Sequence, residues 1–176
     1  MATVQHQPIA PAEEAYLNRF DFEPDAEFTN GAVEERSMGT PDHSDWQGAI
    51  HVFFYQHAKV WGIKSYVETR LALRDGLYRV PDVTIVDPAE GGTDGKAITC
   101  TPIAVFEVFS PEESMKQLRL KFAQYDLAGI PHIWFVDPAK GVWLRYVDGV
   151  LTPTNSFVHD SVIDFEMAEI TALIGK

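Results

Sequence analysis

The run Ile103–Phe109, IAVFEVF, is apolar at every position except one. A run of this kind reads as a strand buried on both faces of a sheet. The chain must therefore cover a central sheet on two sides. The exception is Glu107. A carboxylate in such a strand is costly unless it is paired, protonated or bound to a metal. What answers its charge is the first question the sequence poses.

The segments around this strand supply the covering layers. PAEEAYLNRF (11–20) predicts a short helix. EFTNGAVEERSM (27–38) predicts a hairpin about Asn30-Gly31. A helix capped by Asp42 or Ser44 should run to about Trp61, with Trp46, Ile50, Phe53 and Val60 at helical spacing and Gly62 as its stop. Residues 64–87 read as two strands about Asp75-Gly76, and 88–101 as a glycine-rich mobile loop. After the Glu107 strand, SPEESMKQLRLKFAQYDLAG (110–129) predicts a helix. Ser110 or Ser114 caps it, acidic residues occupy its first turn and Gly129 stops it. Residues 130–149 form a hairpin turning at Pro138–Gly141, then a short strand and a helix over FEMAEITALIGK close the chain. This order gives an α/β fold with a mixed central β-sheet flanked by helices.

A chain of 176 residues suits one domain, expected at 11–176 behind a loose tail at 1–10. No apolar run approaches the ~20 residues of a membrane span, and the N-terminus lacks the pattern of a signal peptide. The single Cys100 excludes an internal disulfide and a multi-cysteine zinc site, and suits a reducing cytoplasm. The net charge of −12 argues against a protein that coats nucleic acid. It leaves room for a metal-dependent nuclease, whose clustered carboxylates bind offsetting cations.

Asp82 is the second charge out of place. It follows Pro81 in the strand YRVPDVTIV, where the residues after it are mainly apolar, and aspartate is a poor strand former. If the two strands are neighbours, Asp82 and Glu107 lie side by side. Two anions there would repel strongly, and a hard divalent cation would turn that repulsion into a binding site. Alternatively Asp82 caps a turn and Glu107 pairs with an arginine such as Arg70 or Arg79.

The blocks NGAVEERSM, TPDHS, RVPDVTIV, IAVFEVFSPEES, KFAQYDLAGIPHIWFVDP and DFEMAEI, spread over about residues 30–170, resemble the Uma-type family of restriction endonucleases in the PD-(D/E)xK nuclease superfamily. The resemblance implies a restriction-endonuclease-like core and Mg²⁺- or Mn²⁺-dependent hydrolysis of DNA phosphodiesters. It implies that Asp82 and Glu107 hold the metal, with the Val108 carbonyl as a third ligand. Glu35 matches the family's upstream acid; the sequence alone does not choose between it and Glu34. Such enzymes usually act as homodimers, and the hydrophobic hairpin at 133–147 is a candidate interface. Two other outcomes fit the same residues: a nuclease of RNA or branched DNA, and a non-catalytic scaffold that keeps the fold.

One residue departs from the superfamily pattern. A lysine is expected two positions after the acid, on the same strand face, but Phe109 stands there. Lys121, four residues before Tyr125, matches a lysine in the family's next helix. On a helical wheel it borders an apolar arc of Met115, Leu118, Phe122 and Tyr125. From that border it can reach back toward the strand and supply the missing cation, or simply snorkel to solvent. His43, in a block that resembles the family's, contacts substrate or the acid cluster, or else packs on Trp46.

Overall fold

The computed structural model describes residues 10–22, 25–36 and 39–175. The expected tail up to residue 9, and Ser37 and Met38 of the predicted hairpin, lie outside the described residues. The elements are α1 (Pro11–Leu17), β1 (Glu27–Thr29), β2 (Ala32–Glu34), α2 (Pro41–Trp61), β3 (Lys64–Val67), β4 (Leu71–Arg74), β5 (Leu77–Arg79) and β6 (Val83–Val86). Then follow β7 (Ala104–Val108), α3 (Met115–Leu127), β8 (His132–Asp137), β9 (Val142–Val147), β10 (Val150–Pro153), β11 (Ser156–His159), β12 (Ile163–Glu166) and α4 (Met167–Thr171).

The main sheet has the order β10-β9-β8-β7-β6-β3. Only β7 and β8 pair in parallel there; their neighbours are antiparallel, so the sheet is mixed. A parallel pair needs a crossover, and α3 provides it. The apolar strand β7 is buried throughout, as expected of a strand covered on both faces. Its alternate residues serve different layers. Ala104, Phe106 and Val108 pack with Ile50 and Phe54 of α2, while Val105 packs with Leu118, Phe122 and Tyr125 of α3. Glu107 has the parity of Val105, so its partners must come from the α3 side. A second sheet, β2-β1-β5-β4, sits beside the first, and β11 pairs with β12.

Several expectations change. Thr40 caps α2, its hydroxyl accepting the His43 N–H at 3.2 Å, with Pro41 in the first turn. Proline's fixed φ suits that turn, which leaves Asp42 and Ser44 inside the helix. Val60 is exposed and lies off the buried face. Residues 64–87 hold β3 to β6 rather than two strands. Glu68 adopts a left-handed φ of 43° after β3, and Pro81, with no N–H to give a ladder, separates β5 in one sheet from β6 in the other. The 88–101 loop is tied down: Ile98 is fully buried, donates to the Arg70 carbonyl at 2.7 Å and accepts from Ala72 at 2.9 Å. Ser114 and Gln117 cap α3 reciprocally, so Glu112 and Glu113 precede the helix instead of lying in its first turn. The chain ends in β10, β11 and β12 before α4, and the latter starts only at Met167. In the 133–147 hairpin β8 and β9 both have neighbours on each side, so neither is an edge strand of the sheet, while Val142 and Val147 at the ends of β9 are exposed.

His132 opens β8, stacks on Phe157 with ring centroids 4.5 Å apart, and has its Nε2 3.3 Å from His159 Nδ1. Burial, with help from the charges of Arg145 and His159, pushes its pKa from 6.5 down to about 4. The unfolded chain therefore binds a proton that the folded one refuses. Stability is present above pH 6.5 and falls as pH drops toward about 4. We expect a loss of about 2 kcal/mol over that window, allowing for solvent screening. Urea midpoints measured against pH should show a shallower decline for His132→Gln; parallel curves would assign the decline to other groups.

Candidate active site

Pro81 places Asp82 at the entry to β6. The antiparallel register pairs Val83 with Phe106, so Asp82 stands opposite Glu107. Asp82 Oδ2 accepts the Val108 N–H at 2.7 Å and lies 3.2 Å from His43 Nε2. Asp82 Oδ1 accepts from Arg36 Nη2 at 3.0 Å. The Gln47 side chain donates to the Asp82 carbonyl at 3.2 Å. Burial works to raise the Asp82 carboxyl, but His43, Arg36 and the Val108 N–H outweigh it and hold the group below the usual carboxylate range. In return Asp82 overcomes the burial of His43 and raises the imidazole above its ordinary value.

Glu107 is treated differently. It is 1% exposed, and the Tyr125 hydroxyl donates to its Oε1 at 2.6 Å. Lys121 Nζ lies 3.5 Å from its Oε2. Burial pushes the carboxyl up to about 8 against the pull of Lys121, and the nearby Asp82 charge adds to the rise. Lys121 is itself buried, with Glu27 Oε1 at 3.5 Å and Glu113 Oε1 at 3.2 Å. Burial would lower the amine, but Glu107, Glu27 and Glu113 together raise it, so it stays a cation.

Asp82, Glu107, Val108 and Lys121 are therefore together. Val108 enters through its N–H on Asp82. The arginine alternatives for Glu107 go elsewhere: Arg70 pairs with Asp25, and Arg79 with Glu27. Phe109, where lysine was expected, packs on Phe135 with ring centroids 5.8 Å apart. Met115 is exposed while Lys121 is buried, which reverses the order expected from the helical wheel. Glu35 is exposed at the same cleft and makes no hydrogen bond or ion pair among the described residues. Glu34 accepts from the Thr29 hydroxyl and lies 3.9 Å from Arg79.

Three participants escape a reading of the sequence. Glu27, 4% exposed, joins Arg79, Lys121 and the Val80 N–H. Burial raises its carboxyl, and Lys121 and Arg79 overcome that and lower it. Arg36 and Tyr125 each hold one of the paired acids. The signal for Glu27 is faint: β1 is three residues long and buried throughout, so no alternation marks it. Tyr125 falls on the expected buried arc, but an apolar pattern takes no account of its hydroxyl.

Glu27, Arg36, His43, Asp82, Glu107 and Lys121 line a cleft with roughly 900 Å³ of empty space, open solvent included. Among the described residues, no three His, Cys, Asp or Glu side chains are gathered as a ready-made metal cluster. Mg²⁺ does not require one, since one or two carboxylates, water and substrate phosphate suffice. Each carboxylate oxygen offers two lone pairs, and Asp82 Oδ1 has a hydrogen bond from Arg36 alone. Oxygen donors of this kind fit Mg²⁺ or Mn²⁺.

A mixed sheet with acids opposed on adjacent antiparallel strands, and a lysine on the crossover helix that follows, defines a restriction-endonuclease-like α/β fold. The chain belongs to the Uma2 family, described as "Putative restriction endonuclease", which matches residues 14–165. Among solved structures it is similar to a "putative nuclease belonging to DUF820" from Anabaena variabilis. The two share 17% identity over 95% of this chain and 99% of that one, with a TM-score of 0.75. It also overlaps part of a DrdV–DNA complex, at 17% identity over 77% of this chain and 11% of that one, with a TM-score of 0.42. No curated protein matches it. No helix among the described residues is long and apolar enough to cross a membrane.

Proposed function

We propose that this protein is a Mg²⁺- or Mn²⁺-dependent endonuclease that hydrolyses DNA phosphodiester bonds. The observation that carries this reading is Lys121 Nζ at 3.5 Å from Glu107, on an acid pair set by the β6–β7 register. Asp82 and Glu107 would hold the metal. When bound, it would supply Lewis-acid charge at the phosphoryl oxygen and a lowered pKa for the attacking water. Arg36, His43 and the Val108 N–H keep Asp82 ionised and fixed. Tyr125 orients Glu107 through its 2.6 Å bond. Lys121 stands where negative charge develops and replaces the lysine absent at Phe109. Glu35, exposed at the mouth, assists by orienting water. Cutting both strands calls for a homodimer.

A second reading has support of its own. Arg36, His43 and Lys121 already counter much of the acid charge, and the net charge is −12. A non-catalytic scaffold would look the same. Incubation of supercoiled plasmid with Mn²⁺ or Mg²⁺ separates the two. Nicked and linear products that EDTA abolishes are expected. An inert plasmid together with no calorimetric response to Mn²⁺ would establish the scaffold. An inert plasmid with Mn²⁺ bound would redirect the search to RNA or branched DNA.

A further inference from the structure

Two buried donors in the cleft have no hydrogen-bond partner among the described residues. One is the Ser110 hydroxyl, on a residue 7% exposed just beyond β7. The other is Nη1 of Arg36. Its sister nitrogen Nη2 is fixed on Asp82 at 3.0 Å, whereas Nη1 lies 3.8 Å from Glu68, beyond hydrogen-bond reach. Both residues line the same cleft as Asp82 and Glu107. A buried donor left without an acceptor is costly. Two of them in one cleft point to an acceptor that arrives with a ligand.

The chemistry narrows that ligand. The free half of a guanidinium and a hydroxyl proton both seek an oxygen, and a phosphate oxygen satisfies them with charge-assisted bonds. Arg36 is also fixed in position by Asp82, so little side-chain freedom remains to be lost on binding. We infer that Arg36 Nη1 and Ser110 Oγ together grip a non-bridging oxygen of a substrate backbone phosphate. This rests on the endonuclease reading and adds the residues that position the strand against the acid pair.

The test is binding of a short fluorescent DNA duplex in Ca²⁺, which permits binding without turnover. Ser110→Ala and Arg36→Lys should each weaken binding about tenfold. Arg36→Lys keeps the charge, so the slope of affinity against salt should stay that of the wild type. That combination marks a lost directed bond rather than a lost charge. Thermal scans should show Ser110→Ala as stable as the wild type. If the wild type binds the duplex and both variants bind equally well, the phosphate grip is overturned and the endonuclease reading stands. If the wild type binds neither duplex nor single-stranded DNA, the DNA reading falls and the grip falls with it.

Discussion

Asp82→Asn and Glu107→Gln should both reduce metal-dependent plasmid cleavage by about a thousandfold or more, yet move stability in different directions. On the proposed mechanism each change removes a metal-binding carboxylate from the pair, so each should abolish the calorimetric response to Mn²⁺. The fold treats the two charges unequally. Arg36 and His43 both depend on the Asp82 anion. Neutralising it leaves a buried guanidinium short of its counterion, at a cost of about 3 kcal/mol. In a domain of this size that is a fall of about 6–12 °C in the melting temperature. Glu107 is already pushed toward its neutral form by burial. The amide introduced by Glu107→Gln would keep an oxygen to accept from Tyr125 and remove a charge the interior resists. The melting temperature of that variant should therefore equal or exceed that of the wild type. Cleavage at the wild-type rate by either variant would remove the metal pair from the mechanism. Equal loss of stability in both would show that the two charges are balanced in the same way.

The acid pair is legible because its signal is local. A carboxylate within an apolar strand is conspicuous in one dimension, and Pro81 marks the entry of the partner strand. Burial of β7 on both faces follows from the same run. What the chain does not reveal depends on contacts between distant segments. Glu27 is buried because β1 pairs with β5 and brings it to Arg79 and Lys121; nothing within its three-residue strand predicts that. Arg36 meets Asp82 across 46 positions. Lys121 reads as a residue at the border of an apolar face, since helical periodicity counts methylenes and cannot see three acids waiting on the other side. The boundary errors have a similar origin. Residues 64–87 change sheet twice, after β3 at Glu68 and before β6 at Pro81, a division that a strand pattern alone does not express.

Lys121→Met should reduce cleavage by about a hundredfold to a thousandfold, the scale expected when one preorganised charge is taken from a transition state. Loss of rate alone would not establish a catalytic role, because Lys121 also answers Glu27, Glu107 and Glu113. Removing it from among these acids should destabilise the fold as well, by about 3 kcal/mol. The two roles separate in Lys121→Met/Glu113→Gln. Glu113 lies 3.2 Å from the amine and is the most exposed of the three acids. Neutralising it lightens the unbalanced charge without touching the metal pair, so urea midpoints should recover while cleavage stays low. Recovery of both would make Lys121 a counterion and nothing more. A further variant asks whether the cation can return to the position the superfamily uses. Phe109 lies two residues beyond Glu107, is half-buried and faces the α3 layer. Phe109→Lys/Lys121→Met should regain about tenfold of the lost nicking rate, at some cost from the broken contact with Phe135. On the proposed mechanism the chemistry needs one positive charge beside Glu107, and either the strand or the crossover helix can bring it there.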